Sequence, residues 1–319
     1  MPKEYPSQAT TQETPIKTSK VEKVSDATRE AFELIIPKHN YSRLKLEEFE
    51  GSHDSQEIER DSQAVENKKK KIVELDMAPT MRAQFLEAIL AEQVELSNWF
   101  SENTMTIIPS EYDDLFNGID LVLEFETEET SQYETIGIDV SSSPLGIKRK
   151  GKFDKIKQHI VDGTLAQMKY FHSERGDTDN TEEEEEAKPR KMPLFIIGAD
   201  PRIINELAEL WLTVYKARNP GKNLDKIQID ELREKAKKAQ EKLAKHRVAV
   251  MILQELKEQL EVFAQFAQKI NSQEIATKFI KLLKVVTRIL RQKKISVTEQ
   301  QYNESDDVYK SIRDELNVF

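Results

Sequence analysis

The chain has no cysteine among its 319 residues, which excludes disulfides, thiolate metal sites and a cysteine nucleophile. It also has no apolar run near the roughly 18 residues needed to cross a bilayer. Residues 1–15 lack the apolar stretch of a signal peptide, so a soluble, cytoplasmic protein without membrane contact is expected. Glycine is scarce, with nine residues, and none lies in a G-x-x-x-x-G-K-[ST] or G-x-G-x-x-G pattern, so a glycine-rich phosphate cradle is not expected. Five scattered histidines contain no H-E-x-x-H, and no G-x-S-x-G elbow is present. Glycine and proline are absent from the 98 residues after Gly221, which favours helix there. Positive charge is in deficit: 58 acidic against 48 basic residues give −10, which argues against a whole-surface nucleic-acid coat and leaves local basic patches open.

Three regions emerge from what is present. Residues 1–66 are rich in Ser, Thr, Gln, Glu and Lys around one apolar island, Ala31 to Ile36. Too little apolar area is available there to offset ordering entropy, so a disordered arm is predicted, closed by a solvated run Lys68 to Lys71. Residues 67–220 change period repeatedly. Met81, Phe85, Ile89, Leu96 and Trp99 recur at helical spacing from Thr80 to Phe100, whereas Ile119, Leu121, Leu123 and Phe125 alternate as in a strand. A polar turn, Glu126 to Gln132, leads to a second strand, Thr135 to Ser141, predicting an antiparallel hairpin, with Met105 to Ile108 as the first member of a meander. A helix is predicted over Lys152 to Phe171, weakened at Gly163, then a charged loop, residues 173–191, with five consecutive glutamates. Leu194 to Ile197 predicts a strand covered on both faces, and Asp200-Pro201 supplies the N-cap and first position of a helix to Arg218.

Residues 221–319 predict a helical hairpin or small bundle. Leu232, Ala236, Ala239, Leu243, His246 and Val250 form a coiled-coil-like seam that resumes at Leu256 after a three-residue slip, and His246 reads as a polar seam residue. Asn271 with Glu274 marks a new helix start. The expected architecture is therefore α/β, a mixed sheet of about four strands flanked by helices, with a long all-helical C-terminal region.

Chemistry concentrates on the hairpin. Asp120 and Asp139 each sit within an apolar strand, and a carboxylate in such a place is costly unless hydrogen-bonded, paired or bound to a metal. Asp139 and Ser141 share a face, and a register that sets Asp120 beside them offers hard oxygen ligands suited to Mg²⁺ or Mn²⁺. On the preceding helix, with Phe85 at 0° and about 100° per residue, Glu92 falls near −20°, inside the apolar stripe, and Glu87 near 200°, opposite it. Glu92 is thus the helix carboxylate expected to face the sheet, although a buried basic residue could equally satisfy it. Residues 147–157 hold six basic side chains and one acid, a local patch able to contact a phosphate backbone. Glu111 to Asp114 read as turn or structural hydrogen-bonding residues, and Glu124 as an edge residue.

Helix, then a hairpin with an Asp on its middle strand, Asp139-Val-Ser141 on the next strand, then a helix: this order over residues 80–218 resembles the PD-(D/E)XK nuclease superfamily. The resemblance implies a four-stranded mixed sheet flanked by helices and metal-dependent phosphodiester hydrolysis in DNA or RNA. Asp120, Asp139 and Glu92 would be the Mg²⁺ or Mn²⁺ ligands and catalytic acids. The lysine position of the motif is Ser141, so a lysine from the following helix is required, and Lys155 is the expected substitute; Gln167 and Tyr170 are similar to a Gln and Tyr that some branches carry on that helix. Lys148, Arg149, Lys150 and Lys152 are expected to contact nucleic acid. The alternative expectation is a catalytically inactive relative that binds nucleic acid, or a helical scaffold self-associating through its C-terminal helices.

Overall fold

A computed structural model describes residues 23–72, 77–127, 133–143, 146–173, 188–221, 224–293 and 304–319. The chain begins with α1 (Asp26–Tyr41), a 3-10 turn (Leu46–Phe49), α2 (Ser55–Ile72) and α3 (Met77–Ser97). Strands β1 (Thr104–Ile107), β2 (Leu121–Glu126) and β3 (Tyr133–Ser141) follow, then α4 (Gly146–Val161), β4 (Ala166–Met168), β5 (Arg190–Met192) and β6 (Leu194–Gly198). Among the described residues the remainder is helical: α5 (Pro201–Arg218), α6 (Lys226–Ala244), α7 (Val248–Lys269), α8 (Gln273–Gln292) and α9 (Asp307–Leu316).

The main sheet has the order β1-β2-β3-β6, a meander of three antiparallel strands with β6 parallel to β3; β4 and β5 form a separate ribbon. Every residue of β6 is buried, as its continuous apolar run predicts. Helix α3 packs against β1 and β3 and carries α1 and α5, while α7 runs along β6 and α9 bridges α7, β6 and α4.

β6 is an edge strand, and edge strands leave a row of backbone groups unpaired. Here α7 satisfies that row with side chains. Gln259 donates from Nε2 to the Ile196 carbonyl (2.7 Å) and accepts the Ile196 N–H (3.0 Å), while Glu255 accepts the Gly198 N–H (3.0 Å). The apolar face of α7 packs beside these bonds, with the Phe263 ring stacked on Phe195 at 5.9 Å and tilted against Phe279 of α8 at 5.6 Å. One continuous core therefore spans residues 31–316 and joins the two regions read from sequence as separate units.

Several expectations need correction. The segment through residue 66 is not a disordered arm over its described part: α1 buries Ala31 and Ile35, α2 buries Ile58 and Val65. Only residues 1–22 of that arm lie outside the described residues. Composition misleads there because its charges are paired across the fold, Glu30 with Lys216 at 2.8 Å and Glu57 with Lys169 at 2.7 Å. Lys68, read as part of a solvated run, bonds the Leu115 carbonyl and lies 4.3 Å from the Phe116 ring centroid.

The helix expected to reach Phe171 stops at Val161. Gly163 adopts φ +66°, its N–H bonds the Ile160 carbonyl (3.2 Å) and the Thr164 N–H bonds the His159 carbonyl (2.8 Å), a glycine C-terminal cap. Gln167 and Tyr170 are therefore not on that helix. Gln167 is the exposed residue of β4, and the Tyr170 hydroxyl donates to Asp61 at 2.9 Å. The last residues of the expected acidic loop form β5, while residues 174–187 lie outside the described residues.

The C-terminal seam is broken rather than continuous, since residues 245–247 separate α6 from α7. His246 sits buried in that break, its Nδ1 accepting the Val248 N–H at 3.3 Å. Among the described residues, no helix is long and apolar enough to cross a membrane.

Candidate active site

A tight turn opens β2. Asp113–Asn117 form a π-helical turn ended by Gly118 at φ +71°, a left-handed conformation that glycine adopts without Cβ strain. Asp113 is fully buried inside this turn and organises it: its carboxylate accepts bonds from Ser110 Oγ (2.8 Å), Asn117 Nδ2 (2.6 Å) and the backbone N–H groups of Lys169 (2.6 Å) and Tyr170 (3.1 Å). The structural reading of this acid stands.

The turn delivers Asp120 to the hairpin. β2 and β3 pair Leu121 with Ile138 at this end of the hairpin, and Asp120 immediately precedes β2. The Asp120 N–H donates to the Ile138 carbonyl (2.8 Å), one residue out of step with that register, and its Oδ2 accepts the Val140 N–H (2.7 Å). The Asp120 carboxylate thus reaches the backbone next to Asp139, and the two acids lie within electrostatic reach of each other. Burial and the charge of Asp139 push Asp120 well above the usual carboxylate range.

Asp139 is 5% exposed and is also pushed up by burial, against the opposing pull of Lys152. Lys152, one turn and a half into α4, places Nζ 2.5 Å from Asp139 Oδ1. The amine beside Asp139 is thus that of Lys152 and not that of Lys155, the residue named from sequence. Lys155 Nζ lies 3.4 Å from the Asn117 carbonyl and acts on Asp139 as a more distant positive charge. The side chains of Lys148, Arg149 and Lys150 lie outside the described residues.

The helix acid also differs from expectation. Glu92 turns towards α1 and α5, where its carboxylate accepts Trp211 Nε1–H at 2.7 Å and meets Lys38 at 3.2 Å. It ties helices together rather than facing Asp120. The acid of α3 that acts on Asp120, after Asp139 and Asp114, is Glu87, buried and 2.7 Å from His39 Nε2. Phe85 to Ala91 are all buried, so α3 has no outer face at this level and an angular argument cannot sort its acids. A helix apolar all round reads as buried on every side, which is the signal by which Glu87 could have been found.

Arg43, just past α1, closes the cluster. It donates to Asp114 Oδ2 at 3.0 Å and to the Pro109 carbonyl at 3.1 Å, and approaches Glu87 at 3.6 Å. Burial pushes Glu87 up to about 8 and His39 down to about 4, with Asp114 raising the former and Arg43 lowering the latter. Asp114 is raised by burial against the pull of Arg43.

Four acids, Glu87, Asp114, Asp120 and Asp139, therefore lie within mutual electrostatic reach, offset by Arg43 and Lys152. Two of them, Glu87 and Asp114, are held by cations or a histidine from the N-terminal segment. Asp120 and Asp139 each have one oxygen engaged, by the Val140 N–H and by Lys152. Glu124, expected at an edge, lies on an inner strand, is buried and accepts the Ser173 hydroxyl at 3.2 Å.

As a test of metal fit, the donor set is hard oxygen and its two strand carboxylates are destabilised as a pair of negative charges, which a divalent cation would relieve. Among the described residues no group of three or more acids or histidines converges for a metal, so the fit is to a site of two carboxylates, Asp120 and Asp139, without Glu92. No family model, curated protein or solved structure matches the chain.

Proposed function

We propose that this chain is a divalent-metal-dependent phosphodiester hydrolase acting on DNA or RNA, similar to PD-(D/E)XK nucleases. The observation that carries the reading is Lys152. The motif position two residues after Asp139 is Ser141, which has no positive charge, and α4 returns a lysine amine to within 2.5 Å of Asp139. The element order α3-β1-β2-β3-α4-β6, with β6 parallel to β3, is the arrangement that the resemblance implies and supports the same reading.

Asp120 and Asp139 would hold Mg²⁺ or Mn²⁺, which supplies a bound water of lowered pKa and neutralises charge developing on the phosphate. Asp120 is presented rigidly for that role, because the Val140 N–H fixes one of its oxygens. Lys152 is 40% exposed, so its amine can bond the attacking water or a phosphate oxygen while remaining beside Asp139. Arg43 and His39 hold Glu87 and Asp114 in place behind the strand acids.

The test is cleavage of end-labelled single- and double-stranded DNA and RNA with Mg²⁺ or Mn²⁺, comparing the intact chain with Asp120→Ala, Asp139→Ala and Lys152→Ala. Metal-dependent cleavage lost in all three variants supports the reading. Cleavage unchanged in them overturns it. Engagement of the Glu87 carboxylate by His39 and Arg43 favours a second reading: a nuclease-like fold that binds nucleic acid without cutting it. Absence of both cleavage and Mn²⁺ binding in the folded protein would select that one.

A further inference from the structure

Helix α8 differs in charge from the rest of this acidic chain. Between Glu274 and Glu299 there is no acidic residue, and seven lysines and arginines occur. Five of them, Lys278, Lys281, Lys284, Arg288 and Arg291, lie on α8. At about 100° per residue they fall within an arc of about 140°, and at about 1.5 Å per residue they extend along about 20 Å of helix. Lys281, Lys284 and Arg291 are exposed, while Lys278 and Arg288 are partly buried.

The opposite face of α8 is already used. Phe279, Leu282, Val286 and Ile289 are buried in the core. A basic amphipathic helix can lie on a membrane or enter a partner's groove by burying its apolar face. Here that face is unavailable, and only the cationic face meets solvent. What remains is attraction to a polyanion without apolar insertion. A nucleic-acid duplex carries about one negative charge per 1.7 Å of axis, so it presents about twelve phosphates along the length of this stripe.

We infer that the basic face of α8 is a nucleic-acid backbone contact, separate from the candidate active site. Arg288 donates to the Glu126 carbonyl at 3.1 Å, Lys281 lies 4.0 Å from Glu134, and Arg291 lines a cleft that also holds Glu258 and Glu304. The Arg288 and Lys281 contacts are at the turn end of the β2–β3 hairpin. Asp120 and Asp139 are at its other end, about five residues or 17 Å away along the strands. The inference does not require cleavage, because the contact is electrostatic and sequence-independent.

The experiment is fluorescence anisotropy of a labelled 24-base-pair DNA duplex with the full chain in EDTA, across a range of salt concentrations. A three-cation contact gives a slope of log K against log salt near −3, at about −0.9 per phosphate neutralised. The variant Lys281→Glu/Lys284→Glu/Arg291→Glu is expected to bind at least about tenfold more weakly at low salt and to lose about 3 from that slope. A control, Lys226→Glu/Lys237→Glu/Lys238→Glu on α6, reverses as many exposed charges and should bind as the parent does. Thermal unfolding of both variants at the parental midpoint shows that the folds are intact. Unchanged affinity and slope in the α8 variant, an equal loss in the control, or binding to anionic phosphatidylserine vesicles but not to the duplex would overturn the inference. Asp120→Ala should leave this binding unaltered, so a failed nuclease reading and a failed contact give different results.

Discussion

Replacing Glu87 with glutamine tests the electrostatics of the cluster through stability. Burial and Asp114 raise the Glu87 carboxyl from 4.5 to about 8, although Arg43 pulls the other way. The folded state therefore keeps a proton that the unfolded chain loses between those two values, and stability falls as pH rises through that window. One proton is worth about 1.36 kcal/mol per pH unit, so the whole window carries at most about 5 kcal/mol. His39 works in the opposite sense. Its folded value is lowered from 6.5 to about 4, so the unfolded chain holds the extra proton between them and stability rises with pH there. The two effects oppose each other from 4.5 to 6.5, leaving Glu87 alone to act from 6.5 to 8. Across that upper interval the parent should lose about 2 kcal/mol relative to Glu87→Gln. Asp114, Asp120 and Asp139 are also shifted up, but they are present in both proteins and largely cancel in the comparison. Urea unfolding followed by circular dichroism at pH 5, 6.5 and 8 measures the difference. A parent-minus-variant stability that is constant to within about 0.5 kcal/mol from pH 6.5 to 8 would refute the assignment of Glu87 as a buried, neutral-preferring acid.

Two further substitutions test the frame that positions the site. Gln259→Leu removes both hydrogen bonds to the backbone of Ile196 and leaves a buried N–H and C=O without those partners. At about 1–3 kcal/mol per orphaned group it should cost about 2–6 kcal/mol in urea unfolding, and a loss under about 1 kcal/mol would show that the edge of β6 is satisfied otherwise. Gly198→Ala places a Cβ 2.2 Å from the Ser141 carbonyl oxygen and 2.5 Å from Val308 Cγ1. Overpacking of this kind costs typically about 1–3 kcal/mol, and α9 should detach first, read as earlier proteolysis near residue 306; an unchanged melting midpoint would refute the close approach.

How much of this was legible in the sequence depends on what each pattern measures. Period-two alternation and a short polar turn specify the hairpin, and the pairing of Leu121 with Ile138 follows from keeping both apolar faces buried. Asp200 before Pro201 specifies the start of α5 locally, and the Asp200 side chain accepts the Arg202 and Ile203 N–H groups. Glu87 was hidden because α3 is buried on more than one face, so the angle that excluded it carries no information about solvent. Helices α1 and α2 were hidden because their partners are distant in sequence: Lys169 of the β4 segment meets Glu57 at 2.7 Å and Asp61 at 2.5 Å. Composition counts such charges as solvated when the fold pairs them. Lys152 and Lys155 lie three residues apart on one helix, and choosing between them requires the position of α4 relative to β3, which long-range packing decides.

That choice suggests moving the lysine. In β3, Asp139 and position 141 point to one face and stand about 6.6 Å apart, whereas Lys152 reaches the same carboxylate from α4 across a 13-residue interval. If the site needs a positive charge beside Asp139 and not α4 itself, the charge should be transferable. Lys152→Ser should abolish cleavage, because Asp139 then keeps its burial and repulsion by Asp114 without its nearest cation. Ser141→Lys added to it should restore part of the rate, about a tenth or more, since one general-acid or positioning group is typically worth about 10²–10⁴-fold. The same pair should restore Asp139 as a charged group, which a pH profile of the cleavage rate reports: the acidic limb moves up in Lys152→Ser and back in the double variant. A Lys152→Ser protein that cuts at the parental rate would remove the lysine from the site. A double variant as inactive as Lys152→Ser, with Ser141→Lys alone fully active, would show that the amine must arrive from α4, and the resemblance would then extend to the acids but not to an exchangeable charge.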